Sequence, residues 1–137
     1  MQLSTLLVGA LSLLAPGASA WSLTGYMDVQ NCNVQSQSNY RIIEGASNLN
    51  SCFNFQQSMP GTSCRAYSNG GLNYGTCTSP GPAGPISVRA RGTCRVYAEP
   101  NCQGTSKLVN HLQCAQLPGP MLIIPYQIVN SFTCTGK

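Results

Sequence analysis

The chain has 137 residues, of which seven are Lys or Arg, three are Asp or Glu, one is His and eight are Cys, for a formal net charge of +4. So short a chain, once a leader is set aside, holds one domain. So few charges exclude a solvated, charge-rich disordered tail. The positive balance favours an anionic surface only weakly, and ordinary solubility is the simpler use for it.

The first twenty residues, "MQLSTLLVGALSLLAPGASA", carry an apolar core too short to span a bilayer, broken by Pro16 and Gly17. Ala18 and Ala20 supply the small residues that cleavage needs, so the sequence predicts a signal peptide over 1–20, cut before Trp21. The segment before the apolar core has no Lys or Arg, and a retained anchor is the alternative. No later segment is apolar enough to span. A secreted, extracellular domain over 21–137 is expected, and a monomer.

All eight cysteines fall in that domain: Cys32, Cys52, Cys64, Cys77, Cys94, Cys102, Cys114 and Cys134. An even count in a secreted chain predicts four disulfides, with the pairing left open among 105 possibilities. No C-x-x-C pair occurs and His111 is the only histidine, so neither a zinc site nor any other metal or cofactor is expected. No Asn-x-Ser/Thr acceptor occurs either.

Short strand-like runs follow one another along the chain: "LTGYMDV", "YRII", "CFNFQ", "CRAY", "ISVRAR", "CRVYA", "SKLV" and "IVNSFTC", each ended by turn formers. Helical periodicity is scarce. The pattern predicts an all-β sandwich or barrel. "SPGPAGP", 79–85, reads as a Pro/Gly linker between two halves, each too small for a core of its own. In "ISVRAR", Ile86, Val88 and Ala90 share one face, and Ser87, Arg89 and Arg91 the other. In "CRVYA", Cys94, Val96 and Ala98 point inward, with Arg95 and Tyr97 outward. A hairpin between these two runs would either mix the faces or oppose Arg91 to Arg95, so they are expected in successive motifs and not in one hairpin.

"CRVYAEPNCQG" resembles the start of a βγ-crystallin Greek key motif: Tyr97 stands as the first aromatic and Gly104 as the glycine of the folded hairpin, while Cys102 replaces the second aromatic. The resemblance implies a small disulfide-stapled Greek key sandwich, with positive φ at Gly104 and a serine in each motif's last strand, at Ser87 and Ser131. It covers Ile86–Lys137 well and Trp21–Thr78 poorly. "CRAY" at 64–67 repeats "CRVY" at 94–97, and duplication is preferred to coincidence. The family's calcium site does not carry over, because "YQIVNS" and "PAGPIS" lack its amide or acidic pair. The leader, Trp21, the eight cysteines, "AYSNGG" and "YAEPNCQG" together resemble fungal small secreted cysteine-rich proteins, which implies an effector-type role.

A catalytic triad has only His111 to draw on, and no cysteine is expected free. Asp28, Glu44 and Glu99 form no glycosidase motif. A small ribonuclease using Glu44 or Glu99, His111 and an arginine is the sharpest enzymatic alternative. Binding is the better class. Arg89, Arg91, Arg95 and Tyr97 are the candidate binding residues, for an acidic protein or polysaccharide, against the reading of a solvated sheet face. Trp21 and the tyrosines can stack on sugars, although structural roles are commoner. The expectation is a non-catalytic extracellular effector or binding protein that acts on a host or microbial protein or a cell-wall polysaccharide. No nucleic-acid partner is expected. The alternatives are an antimicrobial or killer-toxin-like protein and a secreted ribonuclease.

Overall fold

Alternation between apolar and polar residues decides where the strands lie and which side of each is covered. In β1 (Trp21–Tyr26), Trp21 and Leu23 are buried while Ser22 and Thr24 are half-exposed; in β2 (Tyr40–Gly45), Arg41, Ile43 and Gly45 are buried and Glu44 is exposed. The two pair antiparallel, with Leu23 opposite Ile43. A computed structural model describes residues 20–77, 83–121 and 124–136; most of the expected leader and positions 79–82 of the expected linker lie outside these.

Two sheets face each other in an all-β sandwich. The larger adds β4 (Ser63–Ser68), β5 (Asn73–Thr76), β6 (Ser87–Arg91) and β9 (Cys114–Ala115) to the first pair, in the order β5-β4-β2-β1-β6-β9. The smaller runs β3 (Phe53–Asn54), β12 (Ser131–Thr135), β7 (Thr93–Glu99) and β8 (Gln103–Val109). A separate ribbon pairs β10 (Leu117–Met121) with β11 (Ile124–Gln127). Each large sheet thus takes an edge strand from the other half of the chain: β3 from before the linker and β9 from after it. As expected from their charge pattern, β6 and β7 form no hairpin; the chain changes sheets at Gly92, whose N–H donates to His111 Nδ1 at 3.0 Å.

The core lies between the sheets. Leu23, Ile43, Val88 and Ala90 meet Val96, Val109 and Phe132, and Phe55, Leu117 and Val129 close the ends. Each of these side chains except Ala90 contributes roughly 1.5–3 kcal/mol by leaving water. Trp21 is the hub, with ring centroids 6.0 Å from Phe132 and 6.1 Å from Phe53, and its indole N–H donates to the Leu49 carbonyl at 2.8 Å. At 1% exposure it cannot stack on a sugar; the packing that a β1 aromatic gains over Gly45 takes it inside. The expected linker is packed at its end. Gly84 and Pro85 are buried, because Pro85 lies against Gly25 and its carbonyl accepts from Val129 N–H at 2.9 Å.

All eight cysteines are bridged. Cys32–Cys114 and Cys52–Cys102 tie the two halves, Cys64–Cys77 closes the β4–β5 hairpin, and Cys94–Cys134 joins directly opposed residues of β7 and β12.

The two serines singled out in the sequence are fully buried and clasp two folded loops in the same way. Ser87 Oγ donates to the Val29 carbonyl at 2.6 Å and accepts from Cys32 N–H at 3.2 Å. Ser131 Oγ donates to the Glu99 carbonyl at 2.6 Å and accepts from Cys102 N–H at 2.9 Å. Cys32 and Cys102 have φ of 59° and 57°, and Gly104 has the positive φ expected of it, 79°. Val29–Cys32 and Glu99–Cys102 are thus held by the same pair of bonds. The Cys-Arg-x-Tyr copies lie in different sheets, on β4 and β7, each an interior strand paired with the strand that follows it, and only β7 leads into a serine-clasped loop.

Candidate functional site

Register turns scattered tyrosines into a row. On the outer face of the six-stranded sheet, Tyr26 lies opposite Tyr40, Tyr40 opposite Tyr67 and Tyr67 opposite Tyr74. Centroids are 5.8, 4.8 and 5.7 Å apart along the row, and the Tyr40 and Tyr67 planes differ by 10°. Tyr40 and Tyr67, stacked this closely, cover each other's faces, while the outer two pairs are tilted by 37° and 35°. Exposure rises along the row, from buried Tyr26 to Tyr74 at 66%. Burial first, then neighbouring Tyr67 and Tyr26, holds the Tyr40 phenol above its usual range, so it stays neutral and able to donate.

The next row across the same face reads Arg89, Thr24, Ile42, Arg65 and Thr76, and the one beyond it Arg91, Ser22, Glu44 and Ser63. Between the tyrosines and these rows lies a groove of about 370 Å³, lined by Ile42, Glu44, Ser63, Arg65, Tyr67 and Thr76 among others. Ile42 gives it an apolar floor. Arg65, whose guanidinium lies 5.1 Å from the Tyr74 ring centroid, supplies donors in a planar fork. Glu44 supplies acceptors, and Ser63 and Thr76 supply groups that do both. Such a lining suits a ligand with a hydroxyl-rich edge and an aliphatic face.

The candidate binding residues are divided between the sheets. Arg89 and Arg91 share the tyrosine face, with Arg89 Nη1 donating to the Leu112 carbonyl at 2.8 Å. Arg95 and Tyr97 lie on β7, outward on the other sheet, with Arg95 Nη1 donating to Ser106 Oγ at 3.1 Å. The inner faces of β6 and β7 meet in the core, so these two groups look away from each other. The residue that joins Arg89 and Arg91 on one face is Arg65, from a distant part of the sequence.

The acid and base residues weighed for catalysis do not converge. Glu44 is two strands from Arg91, about 10 Å at ordinary strand spacing. His111 is exposed, with Nδ1 occupied by the Gly92 N–H, and Glu99 sits where β7 enters its loop in the other sheet. Among the described residues no group of three His, Cys, Asp or Glu side chains is placed to hold a metal ion, and no helix is long and apolar enough to cross a membrane. Buried Arg41, whose guanidinium is lowered from its ordinary value by that burial, belongs to the inner side of the sheet and not to this face.

A family model described as "Secreted LysM effector LysM14, C-terminal domain" matches residues 21–120, from the first residue of β1 into β10. No curated protein and no solved structure matches the chain.

Proposed function

We propose, from the premise that this chain belongs to the family of the C-terminal domain of the secreted LysM effector LysM14, that it is a secreted, non-catalytic effector that binds a cell-wall polysaccharide on the outer face of its six-stranded sheet. The groove between the tyrosine row and Arg65 carries the reading. Arg65 and Glu44 are close to charge balance, so the groove suits a neutral polyhydroxy chain better than an ion. The guanidinium and carboxylate exchange hydrogen bonds with sugar hydroxyls, each charge-assisted. The aliphatic face of a sugar ring covers Ile42 and the edge of Tyr67. Four bridges keep the platform rigid outside the cell, so little ordering cost falls on binding.

For the finer architecture we infer two Greek key motifs of the βγ-crystallin kind. The exchange of β3 and β9 between sheets and the paired clasps of Ser87 and Ser131 support it.

Co-sedimentation with insoluble chitin, β-glucan and bare silica tests the function. Wild type should pellet with a polysaccharide and not with silica. Arg65→Ala combined with Glu44→Ala should lower the pelleted fraction at least fivefold, and Gln30→Ala, on an exposed loop, should not. Equal pelleting of the double variant and wild type would refute the site.

A further inference from the structure

Although the two Cys-Arg-x-Tyr copies occupy different places in the fold, each builds the same local unit. Arg65 faces Thr76 on one neighbouring strand and Ile42 on the other. Arg95 faces Thr133 on one neighbour and Leu108 on the other. Each arginine follows a cysteine bridged to the residue after that threonine, Cys64 to Cys77 and Cys94 to Cys134. Each is preceded at two positions by a hydroxyl, Ser63 or Thr93, and followed at two by a half-buried tyrosine, Tyr67 or Tyr97. The partner segment reads Thr-Cys both times, at 76–77 and 133–134.

The second unit also lines a groove, of about 230 Å³, with Thr93, Arg95, Tyr97, Leu108, Thr133 and Thr135 among its walls. Leu108, 45% exposed, takes the part of Ile42 as the apolar floor. One of the five guanidinium donors of Arg95 is given to Ser106, which leaves four for a ligand. Three threonine hydroxyls stand round it, and no carboxylate lines the groove. Arg95 keeps its full charge here, but its four remaining donors and the three threonine hydroxyls can pair with the hydroxyls of a polyhydroxy chain, whereas an anion gains only a single, solvent-screened contact.

We propose that this groove is a second site for the polysaccharide class bound at the first, so that one molecule bridges two polysaccharide chains. The inference rests on the reading of the first groove. Packed sheets lie about 10 Å apart, and the grooves open on opposite outer faces, so a single strand lying on one face cannot serve both. The disulfide beneath each arginine holds the Arg–Thr strand pair in register, which gives each site the same donor spacing.

The test uses the intact secreted protein, shown monomeric by size-exclusion chromatography, with chitohexaose and laminarihexaose as soluble probes and colloidal chitin and β-glucan particles as insoluble ones. For the hexaose that binds, calorimetry should give two sites per chain in wild type and one in Arg65→Gln or Arg95→Gln. Wild type should agglutinate the matching particles, and either single variant should coat them without agglutination. The combined variant should lose both. One site per chain, with Arg95→Gln unchanged in stoichiometry and agglutination while Arg65→Gln abolishes binding, overturns the second site and leaves the first standing. Agglutination by a dimer with one site per chain also overturns it. Binding of neither hexaose and neither particle overturns the reading of the first groove and this proposal with it.

Discussion

Replacing Ser131 by Ala removes one hydroxyl and leaves two backbone groups without their partner. The hydroxyl donates to the Glu99 carbonyl and accepts from Cys102 N–H, at 2.6 and 2.9 Å. Two such bonds contribute about 1 kcal/mol each net, and a stranded donor in a half-buried loop adds on the order of 1 kcal/mol more. The loop also carries its own cost. Asn101 and Cys102 have φ of 61° and 57°, a region that costs a non-glycine residue roughly 1–2 kcal/mol and asparagine less. The Cys52–Cys102 bridge prevents the loop from swinging away to recover these groups in water. Ser131→Ala should therefore lose about 2–3 kcal/mol. For a domain of this size that lowers Tm by roughly 8–12 °C. Ser87→Ala should behave alike, since Ser87 holds Val29 and Cys32 by the same two bonds. The two losses should add, because the serines clasp different loops. Thermal and guanidinium unfolding with disulfides intact measures both. A loss under about 0.5 kcal/mol at either serine would show that the loops are held by their bridges alone and that the clasp reasoning is wrong.

Three further outcomes follow from the same geometry. Tyr40 has a raised phenol pKa in the folded state, so stability should be level below about pH 10, fall as pH rises through the higher folded value, and fall less in Tyr40→Phe; phenolate absorbance followed against pH checks it, and a first tyrosine ionisation at Tyr40 would refute it. The chain-entropy estimate gives about 3 kcal/mol for the bridge closing 13 residues and about 4.5 kcal/mol for the one closing 82, so Cys32→Ser with Cys114→Ser should melt below Cys64→Ser with Cys77→Ser, and the reverse order would sink the estimate. Gly84→Ala drives a Cβ into the Val129 carbonyl, so it should cost at least the roughly 3 kcal/mol at the top of the overpacking range, whereas a flexible linker position would tolerate it without a shift in Tm.

Much of the fold was legible because burial writes itself at a period of two. Val88 and Ala90, Cys94 and Val96 are inward as the alternation requires, and the repulsion between Arg91 and Arg95 was enough to separate β6 from β7 into different sheets. Four strands left no such mark. β5 is exposed along its whole length, β9 has two residues, and β10, with Pro118 and Pro120, pairs only with β11 in a two-stranded ribbon where a missing N–H is tolerated. The repeated clasp was legible but hidden behind a louder repeat. "QNCN" at 30–33 and "PNCQ" at 100–103 share Asn-Cys at the left-handed turn, while Cys-Arg-x-Tyr drew notice by its length.

The candidate site was not legible as a site, because register makes it. Tyr26, Tyr40, Tyr67 and Tyr74 are separated by 14, 27 and 7 positions and follow no sequence period; pairing β1, β2, β4 and β5 side by side sets each ring within 5.8 Å of the next. The same pairing divides the arginine run between the two sheets. Arg89, Arg91 and Arg95 are neighbours along the chain, but the sheet change at Gly92 sends Arg95 to the opposite face and lets Arg65 take its place. What the Cys-Arg-x-Tyr repeat encodes is then not a strand position but a strand pair: a bridged cysteine fixes the register, the arginine next to it meets a threonine, and the tyrosine two places on forms the wall. A unit defined by cross-strand neighbours can recur at β4 and at β7, in different sheets and different neighbourhoods, because it requires only one antiparallel partner and one disulfide. That requirement is why two strands in different sheets can present the same arginine, threonine and tyrosine set on both outer faces, with a carboxylate beside it only at Arg65.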